Sequence, residues 1–166
     1  MAMTVREFLD ITPFDWWALL CCAATGLMIG LERQTRGKPV GIRTSILIVS
    51  GTYFFMTLAM TLSQTSLDHA RVLGQIITGV GFLGAGVMMT QEGKIHGVTS
   101  AAIIWLLAAL GIMIGLGYLR HVILFTLLAL LVLLGVDRAE NRLKILRRGV
   151  HQKIEQRRLR RRQLNP

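Results

Sequence analysis

The stretch Gly30–Thr44, GLERQTRGKPVGIRT, sets Glu32, Arg33, Arg36, Lys38 and Arg43 between two long apolar runs. One carboxylate among four cations, with apolar sequence on both sides, reads as a connection at a membrane surface. Charge in that position is costly unless paired or wetted. On either side of this stretch the apolar residues gather in blocks rather than on alternating faces. The blocks are Phe14–Leu31, Ile46–Leu62, Val72–Met89, Val98–Tyr118 and Val122–Val136, each of 15 to 21 residues. A helix rises about 1.5 Å per residue and the hydrocarbon core is about 30 Å thick, so about 20 residues cross it. The third and fourth blocks are long enough or nearly so. The second and fifth need their flanks or a thinned bilayer. The expected fold is an all-α polytopic membrane protein with five transmembrane helices. Residues 1–13 form an N-terminal segment outside the cell membrane, 14–136 the five-helix domain and 137–166 a basic cytoplasmic tail.

Charge placement sets the orientation. The chain is 52% hydrophobic and carries a formal net charge of +10. With five spans, the 32–45 connection, the 90–97 connection and the C-terminal tail share one side. Together they hold sixteen of the nineteen Lys and Arg residues, leaving Arg6, Arg71 and Arg120 on the other. The positive-inside rule places the C-terminus in the cytoplasm and the N-terminus outside. Glu7, Asp10 and Asp15 outweigh Arg6 at the start of the chain. That is the wrong sign for the leading region of a cleavable signal. Thr4 and Glu7 have capping-box spacing, which suggests a short surface helix over 5–9. Trp16, Trp17 and Tyr118 suit an interfacial aromatic belt. Adjacent Cys21 and Cys22 lack metal-ligand spacing and read as small packing residues.

Seventeen glycines point to close helix packing. Gly26 and Gly30 on the first span, and Gly111 and Gly115 on the fourth, have the i, i+4 spacing that lets helix backbones approach in lipid. The third span carries Gly79, Gly81, Gly84 and Gly86 and reads as the central helix, contacted on several sides. Its GVGFLGAG string matches a dinucleotide fingerprint only superficially. That motif needs a preceding strand and a βαβ unit.

No Ser/His/Asp or H-E-x-x-H constellation is present, so a catalytic role is not expected. Glu32 at the inner end of the first span is the acidic residue nearest the membrane interior. A Glu32–Arg43 ion pair could close the connection, or these charges could be solvated and serve orientation alone; Arg33 and Thr44 flank the same site. Within the spans, Thr78 and Thr99 are expected to bond to their own helix. Gln75 needs an interhelical partner or a wet cavity. In the tail, Leu143, Leu146, Val150 and Ile154 recur at helical spacing among cations. Arg147, Arg148, Arg157, Arg158, Arg160, Arg161 and Arg162 would lie against an anionic leaflet. A plain topology anchor is the blander reading. Nucleic-acid binding is disfavoured because no aromatics are interleaved for stacking.

Three segments, GLERQTRGKPVGIRT, GQIITGVGFLGAGVMM (Gly74–Met89) and HGVTSAAIIWLLAALGIMIGLG (His96–Gly117), together resemble the MgtC/SapB family of bacterial inner-membrane proteins. The likeness covers about residues 20–136 and implies a five-helix domain with a cytoplasmic C-terminus. Its motif residues fall on Glu32, Arg33, Gly41, Arg43, Thr44, Gly81, Phe82, Gly84, Gly86, Gly97, Thr99, Ala101 and Ala102. Thr99 stands where the founding member has Asn. The chain resembles a short form without the soluble C-terminal domain of the best-known branch. The resemblance implies links to magnesium limitation, acid resistance, virulence and intracellular survival. It also implies a regulator acting on another membrane protein, with an F-type ATP synthase, the target of the founding virulence protein, as the partner it nominates. No resident cofactor is expected, and Mg²⁺ is the one ion left open. The alternative is a small oligomeric transporter or channel for Mg²⁺ or another ion, with Glu32 or Gln75 in a ring. Homo-oligomer formation is expected in either case.

Overall fold

The computed structural model describes residues 10–62, 65–91 and 94–142. The helices are α1 (Trp16–Thr35), α2 (Ile42–Leu62), α3 (Ser66–Gly86), α4 (Val98–Gly115) and α5 (Leu119–Arg142). Between α3 and α4 lie two short strands, β1 (Met89–Gln91) and β2 (Lys94–His96). The fold is therefore all-α with one small addition. The chain divides into two compact units, Met1–Leu127 and Leu128–Pro166, with the boundary inside α5. The described part of the second unit is the remainder of α5. That helix runs without a break from Leu119 past Val136 to Arg142. The postulated helix over 5–9 and the tail cations from Arg147 onward lie outside the described residues.

In the first unit, α2 occupies the centre. It packs against α1, α4 and α3, while α4 also touches α3 and α1. The expectation that the third span is central is corrected: α3 has neighbours on one side and open space on the other. The fully buried side chains include Cys22, Ile29, Val49, Ile104, Leu107, Leu110 and Val122. Three helical stretches, Ile42–Leu62, Val98–Gly115 and Leu119–Val136, are long and apolar enough to cross a membrane. The other two helices carry charge within their ends, Glu32 and Arg33 on α1 and Asp68 and Arg71 on α3.

Local sequence explains the ends. Asp15 caps α1 by accepting a hydrogen bond from the Ala18 amide at 3.0 Å, which satisfies one of the free amides of the first turn. The Asp15 amide in turn donates to the Tyr53 hydroxyl at 3.0 Å, tying the start of α1 to α2. Phe14 packs edge-on against Tyr53 and Phe54 at the same place. Just upstream, the Thr12 hydroxyl and amide both donate to Asp10 and hold its carboxyl below the usual carboxylate range. Thr65 caps α3 through the Asp68 amide.

The glycines of α1 and α4 are consumed inside this unit. A Cβ on Gly26 would lie 2.6 Å from the Ile46 Cα, and one on Gly30 2.6 Å from the Ile42 Cα. One on Gly111 would lie 2.0 Å from the Thr52 hydroxyl oxygen and 2.3 Å from the Val49 carbonyl oxygen. One on Gly115 would lie 2.9 Å from the Met56 Cβ. These contacts fix α1 antiparallel and α4 parallel to α2. Gly84 faces Ala101 at an ordinary 3.7 Å, bringing the end of α3 to the start of α4.

The β1–β2 hairpin pairs Met89 with His96, Thr90 with Ile95 and Gln91 with Lys94. It ends at Gly97, the N-cap of α4, whose φ of 90° lies in the left-handed region. A side chain there would also meet the Val87 carbonyl oxygen at 2.2 Å. Conformation and space therefore both demand glycine.

Candidate functional site

The Gly30–Thr44 stretch forms the last turns of α1, a tight connection and the first turn of α2. Helix α1 does not stop where the apolar block stops. It continues through Glu32 and Arg33 to Thr35, because backbone hydrogen bonding is indifferent to side-chain polarity. Continuing the helix places Arg36 one turn after Glu32. The Arg36 Nε lies 2.7 Å from the Glu32 Oε1, so the ion pair is made along one helix face. Arg43 lies exposed at the start of α2 and is not the ion-pair partner of Glu32. Thr44 is exposed beside it.

Glu32 and Arg33 are both buried, at 7% and 4% exposure. The Arg33 Nη2 donates to the Ser100 hydroxyl at 2.8 Å, bridging α1 to the first turn of α4. Neither Glu32 oxygen receives an aligned hydrogen bond, and the Arg33 Nε–H has no acceptor. Arg36 thus approaches Glu32 as a charge without pointing its N–H along the oxygen lone pair. One carboxylate shares this place with two guanidinium groups, so the cluster is net cationic.

The connection is held by its own hydrogen bonds. The Gly37 amide donates to the Gln34 carbonyl and the Lys38 amide to the Arg33 carbonyl. The Gln34 side-chain carbonyl accepts from the Ile42 amide at 3.3 Å, capping α2. The Ser45 hydroxyl donates to the Val40 carbonyl at 3.2 Å. Gly37 has φ 62° and Val40 φ 68°. The first is ordinary for glycine. The second is a costly backbone state for a β-branched residue, on the order of 1–3 kcal/mol. Val40 is nonetheless buried at 6% exposure, and that packing holds the strained turn in place.

The other sequence-nominated residues are dispersed. The Thr78 hydroxyl donates to the Gly74 carbonyl of its own helix at 2.9 Å, as Thr52 and Thr126 do in theirs. Thr99 is exposed, while its neighbour Ser100 is buried and holds Arg33. Gln75 is exposed on α3 and lines a groove between α2 and α3. Gly79, Gly81 and Gly86 have nothing within 4 Å of a built Cβ. Sequence reasoning missed Arg36 as the partner, although the i, i+4 rule marks it. It also missed Ser100, which carried only the general signal of a small polar residue in a span.

Against known proteins, the MgtC family profile matches residues 19–142. The putative magnesium transporter YhiD of Escherichia coli K12 is 41% identical over 123 residues, covering 70% of this chain and 55% of that protein. Protein MgtC of Salmonella typhimurium LT2 is 38% identical over 112 residues, covering 68% and 48%. Protein MgtC of Brucella abortus 2308 is 36% identical over 107 residues, covering 64% and 44%. The chain therefore spans about half the length of the curated relatives it matches. No solved structure matches it. The chain belongs to the MgtC family, and it is a membrane protein.

Proposed function

We propose that this chain is a non-enzymatic regulator in magnesium homeostasis that docks against another membrane protein through the outer face of α3. The observation that carries this reading is a stripe of small residues, Ala70, Gly74, Thr78, Gly81 and Ala85. They recur at three- and four-residue spacing and are all exposed. Small residues in that pattern let a second helix approach closely in lipid. The equivalent glycines on α1 and α4 are already used within the fold, so this stripe is the unspent one. The membrane sector of an F-type ATP synthase is the partner that family resemblance nominates, and a second copy of the chain is another.

Transport is the second reading, supported by the name of the relative from Escherichia coli. The charged cluster argues against it. A divalent cation is held by carboxylates and retained waters, and here the buried carboxylate shares its place with Arg33 and Arg36. Purified chain in liposomes containing a Mg²⁺ indicator separates the two readings. No flux above protein-free vesicles is expected. Gly81→Leu is expected to abolish support of growth at low Mg²⁺ while membrane abundance is unchanged. Flux scaling with protein would overturn the regulator, as would full growth support by Gly81→Leu.

The orientation belongs to the same proposal: five crossings in the inner membrane, with the N-terminus periplasmic and the C-terminus cytoplasmic. It is supported by the charge partition and by the alternating directions of α1 to α4. A reporter fused after Pro166 is expected to be active only as a cytoplasmic fusion, and one before Met1 only as a periplasmic fusion. Both ends reporting from one side would refute five crossings.

A further inference from the structure

Helices α2 and α3 diverge around a groove of about 1020 Å³ that is open along one side. Its composition is graded along its length. Asp68, Arg71 and Gln75 line one end, on the first turns of α3 beside Leu62. Beyond them the walls carry no charge and are mostly apolar, with Phe55 and Leu47 on α2 and Ile76, Val80 and Leu83 on α3, while Thr52 lies midway and Thr44 at the far end. Gly51 and Gly79 face the space from opposite walls, and a Cβ on either would touch nothing within 4 Å. Their lack of side chains keeps the groove deep.

We infer that this groove holds one phospholipid with a primary-amine headgroup, its acyl chain between α2 and α3 and its headgroup on Arg71 and Asp68. Two features carry the assignment. The first is length. On the α3 wall Arg71 to Leu83 spans about 18 Å, enough for an acyl chain in a leaflet roughly 15 Å deep, and the α2 wall runs further, from Leu62 to Thr44. The second is charge. Arg71 is exposed at the polar end and suits a phosphate, to which guanidinium bonds in forked pairs. Asp68, one turn earlier on α3, suits the ammonium. Its carboxylate already accepts from Thr65, but a carboxylate has about four acceptor positions, so an ammonium can share it. A partner helix would have to bring an anion and a cation of its own to the mouth to satisfy this pair. An acyl chain alone would have no use for either. Gln75 adds an amide where the headgroup meets the chains, which gives that exposed polar side chain a function.

The site is separate from the docking stripe. At 100° per residue, Asp68, Val72, Gln75, Gly79 and Leu83 share one face of α3 and Gly74 and Gly81 point nearly the opposite way, with Arg71 lying between the two faces. Both can be occupied together, and failure of one reading does not entail failure of the other.

The test is native mass spectrometry of the purified full chain in detergent, titrated with palmitoyl-oleoyl phosphatidylethanolamine and, separately, with the diacylglycerol of the same chains. One phosphatidylethanolamine retained per chain is expected, with the diacylglycerol held at least ten-fold more weakly. Arg71→Ala, at an exposed position, should weaken retention about ten-fold. Gly79→Leu should abolish it by filling the groove, and the open space at Gly79 gives the new side chain room. Equal retention of the two lipids would overturn the headgroup assignment and with it the proposal. Undiminished retention by both variants would place the lipid elsewhere and overturn it too. Absence of lipid, with self-association that Gly79→Leu abolishes, would assign the groove to a second copy instead.

Discussion

A chain carrying Gly111→Ala is expected to fail to accumulate in the membrane, although a single methyl is the only change. That methyl would be driven to 2.0 Å from the Thr52 hydroxyl oxygen and 2.3 Å from the Val49 carbonyl oxygen. The second obstacle is backbone, so no rotamer change relieves it. Thr52 is constrained as well, because its hydroxyl donates to the Ile48 carbonyl of its own helix at 2.9 Å. Helices α2 and α4 must separate, and both belong to the packed centre around Val49, Leu107 and Leu110. Overpacking typically costs about 1–3 kcal/mol and more where the neighbour cannot yield; this contact belongs at or above the upper end. Gly26→Ala and Gly30→Ala should follow the same course, since each would meet the backbone of α2 at 2.6 Å.

The control is Gly74→Ala. It has the same chemistry and the same membrane setting, but nothing lies within 4 Å of the new atom. Helix propensity alone then applies, and alanine is favoured over glycine by about 0.5–1 kcal/mol. Membrane abundance and thermal melting in detergent would read both variants. Wild-type abundance and melting for Gly111→Ala would contradict the close α2–α4 crossing.

This contrast shows what the sequence could and could not say. Hydropathy located all five helices, because an unbroken apolar run of fifteen or more residues suits little besides a buried or membrane helix, and three of them are long and apolar enough to cross a bilayer. It misplaced their ends. Helix α3 begins at Ser66, six residues before its apolar block, because Thr65 caps a polar first turn. It ends at Gly86, where the chain turns toward the hairpin. Gly26, Gly30, Gly111 and Gly115, which share the i, i+4 spacing, lie where a Cβ would meet α2 at under 3 Å. The same signal on α3 led to the wrong centre, since spacing records that a helix can be approached and not by which neighbour. The charged connection was legible as a place. Its internal pairing was not, because a block that ends at the first charge hides the extra helical turn.

That extra turn makes the coupling of Glu32 a sharp test. The carboxylate is held in a side chain only 5% exposed, against 27% for its partner Arg36. Removing Glu32 takes away the anion that Arg36 pairs with and that Arg33 adjoins, and Arg33 is itself buried against Ser100. Breaking a buried pair from one side costs about 3–5 kcal/mol, and the exposure of Arg36 moves the expectation for Glu32→Ala to roughly 3 kcal/mol. Arg36→Ala should cost less, about 1–2 kcal/mol, because water can approach the space it vacates. The double variant should lose less than the sum, with a coupling of roughly 1 kcal/mol, since the ion pair can be broken only once. Arg43→Ala should change stability by less than about 0.5 kcal/mol, as substitutions at exposed positions usually do. Its cycle with Glu32→Ala should be additive within the same margin. Unfolding of the purified chain in detergent measures all three single variants and both doubles. Coupling of Glu32 to Arg43 with none to Arg36 would show that the connection closes across the turn rather than along the helix, and the site would have to be rebuilt around Arg43.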